Sequence, residues 1–380
     1  MQRNEITRRR LRRLAETTVE DAKVLSVYLG LDPREFATQP ARASAIRSLL
    51  NEAGRVVRET GGLTHEERAA LEGDLERVES FFEEDFSAEG VHGLAIFAAG
   101  RSGLFEVIRL PEAPEAQVAI GDSPFVEPLT RIGAAERWAV LLVSRAEGRL
   151  FRGSRSRLTE VRSTDDDVHQ QHSQGGWSQA RYQRSVEQEV QRHIERSIAE
   201  LQASYRRAPF DHLLIAAPED AWTFAESQLD DELRSRLAGR FTCDASDATS
   251  EDVLEAAREA MTEAEAKRER ELLDRLSDAL GMDGPASHSL ADVLDALVQR
   301  KVGTLLLDET FEAPGVACRV CGWLGADGDR CPVDDSELEQ HEDVVEPAVE
   351  AALLQSAQTV YVRHHPDLQP LGGIASLNRF

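Results

Sequence analysis

Lysine is nearly absent from this chain. Only Lys23, Lys267 and Lys301 occur, so 41 of the 44 basic residues are arginine. Cysteine is scarce as well. Four in 380 residues exclude the disulfide framework that staples small secreted domains. Long apolar runs are missing. Strongly apolar uncharged ones such as Trp138–Ser144, His92–Gly100 and Leu213–Pro218 fall far short of the ~20 residues a membrane helix needs. The arginine-rich start (Arg3, Arg8, Arg9, Arg10, Arg12, Arg13) is not followed by an apolar block of the secretory kind, so a cytoplasmic protein without membrane partners is expected. Positive charge is outweighed, giving a net charge of −25. That balance excludes a chain-wide nucleic-acid clamp and leaves RNA contact to local basic patches. What is present suffices for folded cores: 41% hydrophobic residues rule out wholesale disorder. The length suggests roughly two or three domains.

Periodicity organises the chain into α/β regions. Lys23–Leu31 alternates like a strand, and Ala41–Gly61 and Thr64–Glu84 carry apolar stripes of helical period. Thr64 with Glu67 forms a capping box. Strands are expected at His92–Ala99 and Leu104–Leu110. The proline-bearing stretch from Pro111 to Pro128 reads as the crossing to a second domain. There, Arg137–Ser144 is a buried strand and Gly148–Gly153 its hairpin partner. Ser163–Gln174 is polar and aperiodic, so it reads as a poorly packed loop. A long helix to Arg207 follows, striped by Tyr182, Val186, Val190, Ile194, Ile198, Leu201 and Tyr205. A strand at Phe210–Ala216, helices at Glu219–Leu229 and Asp231–Leu237, a strand at Arg240–Cys243 and a helix over Ser250–Leu280 complete this region. A third α/β region has helices at Ser289–Arg300 and Glu346–Thr359, strands at Val302–Asp308 and Val360–Val362, and a closing strand in Leu371–Phe380. The expected architecture is therefore three α/β domains, 1–133, 134–280 and 281–380.

Two constellations carry chemistry. The first is Gln174-Gly-Gly-Trp-Ser-Gln179, which opens the long helix. Gly175 and Gly176 lack Cβ atoms, so the backbone can approach a ligand closely. A helix start offers free N–H groups to a phosphate or oxyanion. Arg181 and Arg184 add a basic patch with no acid before Glu187. The competing reading is a linker capped by Ser178. Asp165, Asp166 and Asp167 read as a solvated run. The second constellation is Cys318-x-x-Cys321 followed by Cys331 and, three residues on, Asp334. This is zinc-ribbon spacing, with Asp334 in the usual fourth place and His341 as substitute. A ribbon that has lost its metal is the alternative. Cys243 reads as a core cysteine. The N-terminal arginines read as solvated helix ends or as a phosphate contact, and Arg363-His364-His365 as a surface turn.

These residues resemble a family. Gly175, Gly176 and Gln179 before a long helix, the cysteine insertion, the ending Leu371-Gly-Gly-Ile-Ala375 and the opening Val24–Pro33 are together similar to the archaeo-eukaryotic class-one release factors. The closer resemblance is to their bacterial relatives in the Vms/Ankzf-like peptidyl-tRNA hydrolase branch. It spans nearly the whole chain. It implies a largely monomeric, ribosome-associated factor that contacts rRNA and cleaves peptidyl-tRNA at its ester on stalled ribosomes. Gly175, Gly176 and Gln179 would be catalytic, Arg181 and Arg184 RNA-binding, and Cys318, Cys321, Cys331 and Asp334 would hold a structural zinc ion. It also allows cleavage of the tRNA 3′ end. One departure is plain: Trp177 and Ser178 separate the glycines from Gln179, and Gln174 is the fallback. The first region shows no stop-codon-reading motif. Two other readings stand beside this one: a non-catalytic A-site binder of the Pelota or hibernation kind, and a zinc-stabilised interaction protein unrelated to translation.

Overall fold

The computed structural model describes residues 6, 8–19, 22–32, 35–87, 91–133, 136–144, 147–165, 179–243 and 247–380. Side chains at 8, 164–165, 179–187 and 220 lie outside that description. The chain divides into two compact units, one comprising Met1–Ala134 with Glu271–Phe380 and the other Ala135–Arg270.

The first unit begins with α1 (Arg8–Ala15), β1 (Val24–Gly30), α2 (Gln39–Glu59), α3 (His65–Ser80), β2 (Gly93–Ala99), β3 (Leu104–Leu110), β4 (Gln117–Gly121) and α4 (Glu127–Gly133). Its four strands run antiparallel in the order β3-β2-β1-β4. The central strand β1 is apolar on both faces, and its period of two sorts the residues. Leu25, Val27 and Leu29 pack with Leu49, Val57, Leu71 and Val78 from α2 and α3. Val24 and Tyr28 pack on the other side with Leu11, Leu14 and Leu129 from α1 and α4. Both helices of the pair are capped as their sequences dictate. Thr38 accepts the Ala41 N–H, and Thr64 and Glu67 form the full capping box.

Two expectations are corrected here. The Pro111–Pro128 stretch is not simply a crossing, because Gln117–Gly121 is a strand that pairs with β1, Leu25 opposite Ile120. The arginine arm is not merely solvated either. Leu11 and Leu14 of α1 are buried, and Arg10 and Arg13 converge on Glu106 at 2.8 and 2.6 Å.

The second unit contains β5 (Trp138–Val143), β6 (Glu147–Ser154), β7 (Arg157–Asp165), α5 (Gln179–Arg207), β8 (His212–Ala216), α6 (Glu219–Ser227), α7 (Asp231–Arg236) and β9 (Leu237–Arg240). The 32-residue helix α8 (Ser250–Gly281) begins in this unit and ends in the first. The sheet order is β7-β6-β5-β8-β9, with β5, β8 and β9 parallel. Ala139, Leu141 and Val143 face Ile194, Ile198 and Leu201 of α5. Trp138, Val140 and Leu142 face Val253, Leu254, Ala257 and Met261 of α8. Such two-sided cover is what a buried parallel strand requires. The strand β7 takes Ser163–Asp165 out of the expected loop. The last strand, β9, sits three residues earlier than the sequence suggests. Cys243 packs against the α8 side of this core, as expected.

The remainder of the first unit comprises β10 (Ala286–His288), α9 (Leu290–Val298), β11 (Val302–Asp308), β12 (Gly315–Ala317), β13 (Leu324–Gly325), β14 (Glu339–His341), α10 (Val345–Leu354), β15 (Gln358–Val362) and β16 (Ile374–Asn378). A mixed sheet β10-β16-β11-β15 packs on α9 and α10 on one side and on Leu273 and Leu276 of α8 on the other. The fold is thus mixed α/β, with the cysteine-bearing insertion as a small separate sheet, β13-β12-β14.

Candidate functional site

The cysteine ribbon is two copies of one turn. In the first, Cys318 follows β12, the Gly322 N–H returns to the Cys318 carbonyl at 2.9 Å, and Gly322 takes φ +73°. In the second, the Asp335 N–H returns to the Cys331 carbonyl at 3.0 Å, and Asp335 takes φ +58°. Glycine enters such a backbone freely, and aspartate is among the residues that tolerate it. Backbone N–H groups point at the sulfurs in both turns, Cys321 N–H at Cys318 Sγ and Val333 N–H at Cys331 Sγ, each 3.4 Å. Position for position, Cys318-x-x-Cys321 matches Cys331-x-x-Asp334. The carboxylate of Asp334 therefore occupies the place of a fourth sulfur.

The four side chains converge. The ligand atoms of Cys318, Cys321, Cys331 and Asp334 lie within 4.8 Å of one another. Cys321 Sγ is 3.4 Å from Cys331 Sγ, and Cys318 Sγ is 3.5 Å from an Asp334 oxygen. His341, the proposed substitute, stands apart from this group, across β12 from Gly315. Sequence reasoning missed Ser336. Its hydroxyl donates to Asp334 Oδ1 at 2.6 Å, its N–H reaches the same oxygen at 3.0 Å, and its Oγ is 3.0 Å from Cys318 Sγ. These bonds from Ser336 hold the Asp334 carboxyl well below the ordinary carboxylate range. The Cys321 thiol is pushed up to about 12, by desolvation first and then by its contacts with Cys331 and Cys318. Three sulfurs and an ionised carboxylate so close together form a donor set for a cation. Cys318 and Cys331 are buried, while Cys321 and Asp334 are exposed, so an ion would enter from that side.

The ribbon is tied to the first sheet's strands through its own knuckle. Arg319, between two of the cysteines, pairs with Glu339 of β14 and approaches Asp122 at 3.4 Å, and Asp122 also takes Lys23 Nζ at 2.6 Å.

Gly175 and Gly176, with Gln174, Trp177, Ser178, Asp166 and Asp167, lie outside the described residues. Gln179 is the first residue of α5, and Arg181 and Arg184 stand three residues apart in its first two turns. Arg363 pairs with Glu309 at 2.9 Å beside half-buried His364 and His365. The C-terminal glycine pair has a structural reason: Gly372 and Gly373 take φ +89° and +79°, and a Cβ on Gly373 would overlap the Phe311 ring. None of the helices among the described residues is long and apolar enough to cross a membrane.

Comparison with known proteins narrows the reading. No curated protein matches the chain significantly. Among solved structures, the archaeal translation termination factor aRF1 is 19% identical over 98% of both chains, with a TM-score of 0.27. Archaeoglobus fulgidus Pelota is 16% identical over 76% of this chain and 79% of its own, at 0.32. Dom34 of S. cerevisiae is 9% identical over 76% and 81%, at 0.42. With scores this low these neighbours support no conclusion about the chemistry of this chain. A family model does match directly: bacterial archaeo-eukaryotic release factor family 10, over residues 124–262. That segment, which holds every element from β5 to β9 and the Gly175-Gly176 pair, is thus similar to this release-factor family, in line with the sequence resemblance.

Proposed function

We propose that this protein is a ribosome-associated release or rescue factor that hydrolyses the ester of peptidyl-tRNA. The observation that supports this most is the family match over 124–262, which brackets the glycine pair and the start of α5. The chemistry follows from the residues. A backbone amide at Gly175 or Gly176 would hold the developing oxyanion, and the neutral amide of Gln179 would orient the attacking water. The ribosome would supply the enclosing walls, so no perturbed acid or base is required of the chain. Arg181 and Arg184 would hold RNA phosphates beside the ester. Within this reading the chain works as three domains, 1–133, 134–280 and 281–380. The ribbon would serve as a structural zinc site, with Cys318, Cys321, Cys331 and Asp334 as the residues that hold the ion. Zinc there would fix the ribbon rather than take part in ester cleavage.

A second reading has its own support. Trp177 and Ser178 displace Gln179 from the glycines, which favours a factor that occupies the A site without cleaving, in the manner of Pelota. Release of labelled peptide from stalled ribosomes decides between them. Gly176→Ala should abolish turnover while the protein still sediments with ribosomes, since a Cβ obstructs backbone approach. Gln179→Ala should lower the rate by ~10²–10³. Peptide release by Gly176→Ala at the parent rate would show that the loop is not catalytic, and a parent that sediments with ribosomes but releases no peptide above background would favour the non-catalytic reading.

A further inference from the structure

On the second unit, far along α5 from the glycine loop, lies a cleft of about 360 Å³ between the edge strand β7 and the last turns of α5. It is lined by Arg152, Arg162 and Arg207, with Glu200 as its one acid and Val161, Ser204 and Ala208 between them. Three cations against one anion is notable in a chain with a net charge of −25. Glu200, Ser204 and Arg207 fall at spacings of four and three, one face of α5.

The cations differ in how they are held. Arg162 approaches Glu200 at 3.5 Å, a long and exposed pair of little strength. Arg152 is half-buried above the Phe210 ring at 5.1 Å. Its Nη1 donates to the Ser204 carbonyl and Oγ at 3.3 and 3.1 Å, and its Nη2 to the Pro209 carbonyl at 3.3 Å. Among the described residues no carboxylate pairs with it, and its Nε–H takes no part in these bonds. Burial and the neighbouring Arg137 lower its proton affinity against the opposing charge of Asp211, yet a guanidinium stays charged. Arg207 is exposed, and no carboxylate pairs with it among the described residues. A fixed guanidinium at the base and two exposed ones at the rim match the phosphates of a sugar–phosphate backbone, with Val161, 45% exposed, between them.

We propose that this cleft is a second RNA-backbone contact of the protein, holding one or two phosphates between Arg152, Arg162 and Arg207. It rests on the ribosome-associated reading for the identity of its RNA. Glu200 to Gln179 spans 21 helical residues, about 30 Å, so this contact and the Arg181–Arg184 patch would grip the RNA at two separated points.

The test uses the full chain. Affinity for a short fluorescein-labelled RNA strand is measured against salt for the parent, for Arg162→Glu/Arg207→Glu and for Arg236→Glu, an exposed control in the same unit outside the cleft. The double variant should bind about tenfold or more weakly at low salt, and its log–log salt slope should fall by roughly one to two, the share of two phosphates. Arg162→Gln/Arg207→Gln should show the same slope change without charge reversal. Equal weakening by Arg236→Glu would make the effect one of overall charge and overturn the proposal, as would a parent that binds no RNA. Ribosome co-sedimentation separates the two readings. A parent that sediments together with a double variant that also sediments and keeps the RNA slope overturns the cleft and leaves the ribosome reading intact. A parent that does not sediment but binds RNA through the cleft overturns the ribosome reading and leaves the cleft.

Discussion

Asp334 is the residue on which the ribbon's chemistry turns. A carboxylate in place of a fourth sulfur weakens the hold on a soft ion and leaves an exposed edge to the site. Its orientation depends on Ser336, which donates twice to the same oxygen. Asp334→Ala should lower zinc affinity by more than the roughly 10–100-fold that loss of a supporting contact costs. Asp334→Cys should raise it, and a cobalt-loaded protein should then show stronger thiolate-to-metal charge-transfer absorption. Chelator competition checks the first and visible spectroscopy the second. Equal affinity in all three proteins would mean the carboxylate never meets the ion. Gly373 poses the same kind of question in the core. Its φ of +79° and the Phe311 ring, which fills the place a methyl group would take, both oppose a side chain. Gly373→Ala should therefore cost about 1–3 kcal/mol, readable as a lower denaturant midpoint at unchanged slope.

At the scale of elements, α10 carries an unusual load. Burial raises the Glu346 carboxyl to about 8, with the negative charges of Glu350, Glu127, Asp343 and Glu339 adding to it. Burial likewise raises Glu350 to about 7, against a hydrogen bond from Ser123. A carboxyl whose folded pKa lies above its unfolded value binds its proton more tightly in the fold. Its contribution is complete below the unfolded pKa and is lost as pH rises through the folded one. Stability should thus fall between about pH 4.5 and 8, by roughly a few kcal/mol. Glu346→Gln should flatten that slope and raise the melting temperature most at pH 8. Melting curves from pH 5 to 9 check it, and a parent curve that is flat across that range would refute it.

Elements also show what the sequence could and could not convey. The strands β1, β2 and β5 were legible because both faces are buried and their apolar runs are unbroken. The convergence of Cys318, Cys321, Cys331 and Asp334 was legible because residue type and spacing recur together in the two turns. The strand β7 was not, since Arg157–Asp165 is an edge strand in which Leu158 alone is buried among the residues whose side chains are described. The strand β4 hid among prolines that flank it without interrupting it. The helix α10 ends at Leu354, five residues early, where Ser356 takes φ +60°, a turn that serine does not announce. Ser336 carried no signal at all, because a supporting hydroxyl has no spacing rule.

On the scale of the whole molecule, two compact units with separate cores predict how metal removal will propagate. The ribbon lies in the first unit, in the segment Glu271–Phe380, and packs its Val316, Cys318, Cys331 and Leu338 into a small core of their own. Leu324 and Ala317 add packing against the α9–α10 core, and an ion held by the cysteines would contribute its binding free energy to the folding of this segment. Among the contacts that join the ribbon to the first sheet's strands is Arg319, held between Asp122 and Glu339. Loss of the ion should loosen Arg319 along with its neighbours Cys318 and Cys321, and so weaken that junction. The second unit has its own two-sided core around β5. Chelation should therefore accelerate amide exchange in 315–341 strongly, and around Asp122 and Lys23 to a lesser degree. Exchange in β5 and β8 should stay at the parent rate. Hydrogen exchange read by mass spectrometry, with and without chelator, resolves these segments. Uniform acceleration across both units would show that the ion supports the whole molecule. No acceleration anywhere would show that the cysteines bind nothing.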